Sequence, residues 1–136
     1  MRDLSTPDRW RAVEGLAERV GLRELDQLVA GYSMGMRKKL ALSCALIHRP
    51  RVLFLDEPFE GVDAIATREL RELLQQLVAN RRVTVFLTSH VLEVVEKVCA
   101  RVIVIHQGQI KADGSVEQLR GLMHLPSLVE IFSELI

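Results

Sequence analysis

The sequence predicts an α/β fold built on a parallel sheet, and three observations carry the prediction. Val52-Leu53-Phe54-Leu55, Val83-Thr84-Val85-Phe86-Leu87 and Val102-Ile103-Val104-Ile105 are short, nearly continuous apolar runs, and a run like Val52 to Leu55 fits a strand buried on both faces. The segments between the runs are helical in pattern, with Ala66, Leu70, Leu73, Leu74 and Leu77 in one and Val91 to Cys99 in the other. Strand and helix therefore alternate, as in a parallel layout. The first two runs end in polar residues, Asp56-Glu57-Pro58 and Thr88-Ser89-His90, at the sheet edge where such folds bind ligands.

Composition agrees with a globular chain. Of 136 residues, 49% are hydrophobic and 26% charged, with 18 Lys+Arg against 18 Asp+Glu. That is one domain's worth of chain, and it excludes disordered and low-complexity classes. Zero net charge gives no bulk attraction to nucleic acid or anionic lipid, leaves room for a local basic patch and by itself points to no partner; no nucleic-acid partner is expected. Cys44 and Cys99 are far apart and form no CxxC pair, which predicts reduced thiols in core positions and neither disulfide nor zinc. The N-terminal residues lack the apolar core of a signal peptide, and no stretch reaches the roughly 18 apolar residues of a membrane span. A cytosolic protein is expected, unless a partner brings it to a membrane.

Each element has its own signals. Thr6-Pro7-Asp8 reads as a capped helix start, Trp10, Val13, Ala17 and Val20 as its apolar face, and Gly21 as its stop. A short helix is expected through Leu22, Leu25, Leu28 and Val29, ending before Gly31. From Ser33 a further helix would carry Met36, Leu40, Cys44 and Ile47 on one side and Arg37, Lys38 and Lys39 toward the other, until Pro50 breaks it. After the third strand, Gln107-Gly108 predicts a hairpin turn into Gln109 to Ala112, and segments from Ser115 and Pro126 read as two closing helices.

Four short motifs carry chemistry. At the end of the first strand, Asp56 is placed to hold Mg²⁺ and Glu57 to orient or deprotonate a water, while His90 at the end of the second could contact a terminal phosphate. Four apolar residues followed by Asp-Glu would occur by chance about 0.03 times in a chain of this composition. Ser33 and Gly35 open a helix, where a hydroxyl, an unencumbered N–H and the dipole make an anion site. Gly61-Val62-Asp63 is a glycine turn into the next helix. Taken singly, each has an ordinary alternative: Ser33 and Asp63 as helix caps, Gly35 as a turn glycine, Asp56-Glu57 as a charged loop, and His90 as a histidine bonded to a loop.

Their order decides. Tyr32-Ser33-Met34-Gly35-Met36, then Leu53-Phe54-Leu55-Asp56-Glu57-Pro58, then Gly61-Val62-Asp63, then Thr88-Ser89-His90 resembles the back half of an ABC transporter ATPase subunit. The resemblance implies a partial P-loop NTPase (RecA-like) sheet over residues 50–136, preceded by part of the helical signature subdomain over residues 1–49. It implies ATP and Mg²⁺ as cofactors. Ser33, Met34, Gly35 and Met36 become the signature loop and, with Asp63 of the D-loop, contact nucleotide. Asp56 becomes the Walker B metal ligand, and Glu57 and His90 the catalytic glutamate and switch histidine.

Met34 stands where the signature often has a second glycine and Met36 where glutamine is common, a pattern similar to exporter-type ATPases of the drug and polysaccharide branch. Phe59-Glu60 replaces a small polar pair before the D-loop. No GxxxxGK[ST] is present: none of Lys38, Lys39, Lys97 and Lys111 precedes Ser or Thr. The chain is therefore expected to be a C-terminal half, able to offer Ser33 and Gly35 to a partner's ATP but not to cradle its own. The strands after Arg51 and Arg82 should then expose apolar surface and sheet edges. The implied partners are a second ATPase subunit in a head-to-tail dimer and a transmembrane permease, which would hold the subunit peripherally at the inner face of a membrane. The alternative is a non-catalytic module that donates its signature to, or regulates, an intact ATPase subunit. A DNA-repair or chromosome ATPase of the same superfamily fits less well, because coiled-coil heptads are missing.

Overall fold

A computed structural model of the chain describes residues 6–80 and 83–136, with side chains from residue 11 onward. The Thr6 cap and the place of Trp10 on the first helix lie outside the described side chains. Two compact units result, Met1–Thr88 and Ser89–Ile136.

The first unit begins with α1 (Thr6–Arg19). Gly21 ends it as expected, with φ of 66°. The N–H groups of Gly21 and Leu22 return to the carbonyls of Glu18 (3.1 Å) and Ala17 (2.8 Å), the paired closure that a left-handed glycine permits. Ala17, Val20 and Leu22 are buried, while Val13 of the expected apolar face is exposed.

The helix expected over residues 22–30 is not formed. Only a 3₁₀ turn at Val29–Gly31 is present. Leu25 and Leu28 are exposed, so the stripe that would have driven the helix has nothing to bury against. The segment is anchored instead by buried Tyr32, whose hydroxyl donates to the Glu24 carbonyl at 2.6 Å.

In α2 (Met34–Leu46) the buried residues are Gly35, Lys39, Leu42 and Leu46. That is one helical stripe, rotated from the face expected through Met36, Leu40, Cys44 and Ile47. Lys39 turns inward because it has partners: its Nζ donates to Glu69 Oε2 at 2.6 Å and to the Gly21 carbonyl at 3.1 Å. Cys44 and Ile47 are consequently exposed, and the expectation of a core thiol at Cys44 fails.

Two strands, β1 (Val52–Asp56) and β2 (Thr84–Thr88), pair in parallel and in direct register from Val52↔Thr84 to Asp56↔Thr88. The α3 helix (Ala64–Ala79) between them buries Leu70, Leu73, Leu74 and Leu77, as its periodicity requires, and packs against β2. The α/β class with a parallel sheet is thus realised. The strands are not buried on both faces, however: Phe54 is 74% exposed and Phe86 50%, and their tilted rings lie 5.6 Å apart.

The second unit contains α4 (Leu92–Val98), β3 (Val102–His106), β4 (Gln109–Gly114), α5 (Val116–Met123) and α6 (Leu128–Leu135). Among the described residues, β3 pairs only with β4, antiparallel, so the third run does not extend the parallel sheet. The hairpin falls where Gln107-Gly108 predicted it, with φ of 48° and 73° at the two turn residues, as the right-handed twist of a two-residue hairpin demands. Ser115 and Gln118 form a reciprocal capping box on α5, and Ser127 caps α6. Val95, Val102, Val104, Val116, Leu119, Leu128 and Ile131 form this unit's core, with Cys99 packed against it. Burial pushes the Cys99 thiol above its ordinary pKa.

Candidate active site

The candidate site of the first unit is assembled at the carboxyl ends of β1 and β2, where the strands stop and the loop 57–63 begins. Asp56 closes β1 opposite Thr88, the last residue of β2. Direct register puts the two side chains on one face of the sheet, and the Thr88 hydroxyl donates to Asp56 Oδ1 at 2.5 Å. Thr88 Oγ1 in turn accepts the backbone N–H of Glu57 at 3.1 Å. Glu57 itself is left-handed, with φ of 44°, a conformation costing a non-glycine residue roughly 1–2 kcal/mol. Pro58 follows and disfavours the right-handed region for Glu57. The turn ends β1 abruptly and leaves the Glu57 side chain half-buried.

The loop then packs on the start of α2. Gly61, at φ of 68°, lies against Met34, and a Cβ built there would stand 3.5 Å from the Met34 Cγ. Gly35 faces the first turn of α3 so closely that a Cβ on it would come within 2.9 Å of the Ala66 Cβ. The glycine is needed for this approach of two helices as much as for an open N–H. Asp63 is the N-cap of α3, its Oδ1 accepting from the N–H groups of Ile65 and Ala66, each at 2.9 Å. Ser33 is the N-cap of α2, its Oγ accepting from Met36 N–H at 3.2 Å. The N–H groups of Met34 and Gly35 precede the first intrahelical bond and sit at the positive end of the helix dipole. Met36 is half-buried.

Ser33, Met34, Gly35, Met36, Asp56, Glu57 and Asp63 therefore belong to one unit, at the start of α2, the end of β1 and the loop from β1 to α3. His90 lies two residues beyond β2, exposed, within the second unit. Two residues of the site were not singled out from sequence. One is Thr88, whose signal was its position opposite Asp56 once the two runs are aligned as parallel strands. The other is Lys38, whose Nζ donates to the Glu57 carbonyl at 2.7 Å; helical periodicity on α2 held no signal for it.

The chemistry this arrangement can support is that of an oxyanion-rich ligand and a hard cation. Asp56 has one carboxylate oxygen engaged by Thr88 and a second with which to meet a cation. No cluster of three or more His, Cys, Asp or Glu residues suited to a metal occurs among the described residues. A single protein carboxylate suits Mg²⁺, which takes most of its remaining ligands from phosphates and water.

Comparison with known proteins decides the family. Residues 10–96 match the family model described as an AAA domain, whose description goes on to the AbiEii toxin of a Type IV TA system. The chain belongs to this AAA-domain family. Chains similar to it include ABC transporter ATP-binding proteins. It is 39% identical over 108 residues to the ABC transporter ATP-binding protein NatA of Bacillus subtilis, covering 79% of this chain and 44% of the relative. It is 36% identical over 110 residues to the bacitracin transport ATP-binding protein BcrA of Bacillus licheniformis, covering 80% and 36%. It is 40% identical over 120 residues to the aliphatic sulfonates import ATP-binding protein SsuB 2 of Agrobacterium fabrum, covering 86% and 46%. A solved ATP-binding subunit of an ABC transporter superposes with a TM-score of 0.79 at 31% identity, covering 97% of this chain and 56% of that one. The AAA chain thus spans less than half the length of these curated relatives. No helix among its described residues is long and apolar enough to cross a membrane.

Proposed function

We propose that these residues are the signature, Walker B, D-loop and switch portion of an ATP-hydrolysing subunit that powers an ABC transporter. Residues 1–49 belong to the helical signature region and 50–136 to the ATPase core. The observation that carries this reading is Asp56-Glu57 at the carboxyl end of a parallel strand, beside the start of α2, in a chain whose relatives are ABC transporter ATP-binding proteins. Bound Mg²⁺ would neutralise charge developing on the transferred phosphoryl group. Asp56 would hold the cation through its carboxylate. Glu57 takes the proton of the attacking water and His90 meets the terminal phosphate. Ser33 Oγ–H and the backbone N–H groups of Met34 and Gly35 bind phosphate oxygens at the N-terminus of α2, with Met36 behind them, and Asp63 sits at the edge of the same nucleotide.

The phosphate cradle comes from residues outside these 136, since no GxxxxGK[ST] occurs in them. A second ATPase subunit, arranged head to tail, would receive Ser33 and Gly35 on its own nucleotide, and a transmembrane permease would hold the pair at the inner face of the membrane. Met34 and Met36 favour an exporter-type branch. A relative named for import, at 40% identity, makes the direction of transport a question for experiment.

The test is complementation. The chain is co-expressed with a segment carrying GxxxxGK[ST], and ATP turnover is measured for the pair. Turnover should appear, and Glu57→Gln should lower it by about 10²-fold or more, the usual contribution of a general base. Retained turnover in Glu57→Gln removes the catalytic assignment. If the pair never turns over, yet the chain changes the ATPase rate of an intact subunit in a Ser33-dependent way, the non-catalytic signature-donating reading takes its place.

A further inference from the structure

We infer that Thr88 and Lys38 are positioning residues that clamp the backbone of Glu57 from both sides and so set the aim of its carboxylate. The inference rests on the ATPase reading for its purpose, but not for its geometry.

Glu57 occupies a left-handed backbone conformation, φ of 44°, that its side chain does not favour. Such a conformation persists only where the surroundings over-determine it. Two groups do so here. On the amino side, the Glu57 N–H donates to Thr88 Oγ1 at 3.1 Å. On the carboxyl side, the Glu57 carbonyl accepts from Lys38 Nζ at 2.7 Å. The peptide groups flanking one Cα are thus each tied to a different element, β2 and α2. Fixing both flanking peptides fixes φ and ψ, and with them the direction in which the Cα–Cβ bond leaves the backbone.

The Thr88 hydroxyl does a second job with its proton. Having accepted from Glu57, it donates to Asp56 Oδ1, so one oxygen atom registers the metal-binding carboxylate against the general base. A hydroxyl oxygen can donate its own proton and accept another at the same time. The direct register Asp56↔Thr88 places it within reach. Lys38 adds a link of another kind. It sits on α2, one turn after Met34 and Gly35, so the helix that opens on the signature residues is bonded to the backbone of the base. A shift of α2 when phosphate engages its N-terminus would be felt at the Glu57 carbonyl.

The experiment uses the full 136-residue chain, labelled with ¹⁵N and ¹³C, without nucleotide. Amide hydrogen exchange is followed at Glu57, with Leu74 of the α3 core as the reference for global opening. In the native chain Glu57 should be protected. Thr88→Val should raise its exchange by several-fold to about tenfold relative to Leu74, the range of one hydrogen bond, and Thr88→Ser should retain the protection. Lys38→Met should shift the Glu57 carbonyl ¹³C resonance and leave its amide protection in place. An unprotected Glu57 amide in the native chain overturns the clamp, and that measurement requires no variant to fold. Unchanged protection in a folded Thr88→Val overturns it as well.

In the complementation assay, Thr88→Val should lower kcat by about tenfold to a hundredfold, the scale of a displaced catalytic group. KM for ATP should stay unchanged, and Thr88→Ser should recover most of the rate. Full kcat in Thr88→Val, where Glu57→Gln abolishes turnover, would show that the clamp does not aim the base. Turnover surviving Glu57→Gln would remove the ATPase reading and leave the exchange result standing by itself.

Discussion

Gly35 is where local preference and packing pull in opposite directions. In a helix interior alanine is better than glycine by about 1 kcal/mol; Gly35 is the second residue of α2, so Gly35→Ala considered alone would stabilise α2 by less than that. The Cβ it adds would stand 2.9 Å from the Ala66 Cβ, and overpacking of this kind costs about 1–3 kcal/mol. Packing should win: the unfolding free energy of Gly35→Ala in urea is expected to fall by about 1 kcal/mol net. Ala66→Gly added to it should recover part of the loss, because it removes the atom that clashes, and a non-additive double-mutant cycle would show the contact. From sequence, Gly35 read as a backbone left open for an anion. The contact with α3 could not be read there, because it depends on which turn of a distant helix comes to rest against it. His124 presents a simpler case. It ends α5 in a left-handed conformation, φ of 56°, and His124→Gly should stabilise the chain by about 0.5–1 kcal/mol in thermal or urea unfolding, through relief of that conformation.

Helix ends and hairpins are the scale at which the sequence was most legible. Asp63 was ambiguous between cap and D-loop contact, and in the structure it caps α3. Asp63→Ala should therefore cost about 1 kcal/mol of stability. Asp63→Asn, which caps as well, should leave stability unchanged and isolate any effect on nucleotide turnover. The hairpin β3–β4 is braced by Arg101, whose Nε and Nη2 donate to the two carboxylate oxygens of Asp113 at 2.7 and 2.8 Å. The hydrogen bonds from Arg101 hold the Asp113 carboxyl below its ordinary range. A carboxyl lowered in the folded state contributes stability above its unfolded pKa, about 3.9, and loses it as pH falls through the lowered native value. Acid unfolding monitored by circular dichroism should show native protein losing stability over that window, and Asp113→Asn should flatten the dependence there. Gly21, Gln107-Gly108, Ser115 and the helix start after Pro126 were readable because a cap or tight turn is decided by neighbours in the chain. The rotation of α2 was not. Its apolar residues allow two faces, and the choice fell to Lys39, a residue normally solvated, which found Glu69 thirty positions away.

At the scale of the whole molecule, both units present an apolar sheet face to solvent. In the first, Val52 and Phe54 of β1 and Phe86 of β2 are exposed; in the second, Ile103 and Ile105 of β3 and Ile110 of β4 are. The strands read as buried on both faces because their apolar runs are continuous, and exposure of one face was the expected consequence of a sheet without a central neighbour. A two-stranded sheet is marginal in water, and exposed apolar faces with unpaired edges favour association. Sedimentation velocity should therefore show the chain self-associating as its concentration rises. Phe54→Thr combined with Phe86→Thr should weaken that association while lowering the unfolding free energy by about 0.5–1.5 kcal/mol, the value of the tilted ring pair it removes, since threonine itself suits a strand. Ile105→Thr combined with Ile110→Thr tests the second face independently. Monomeric behaviour of the native chain across the concentration range would mean that these faces are tolerated alone. Association that disappears with the first pair and persists with the second would locate it on the parallel strands, the face that ends in Asp56 and Thr88.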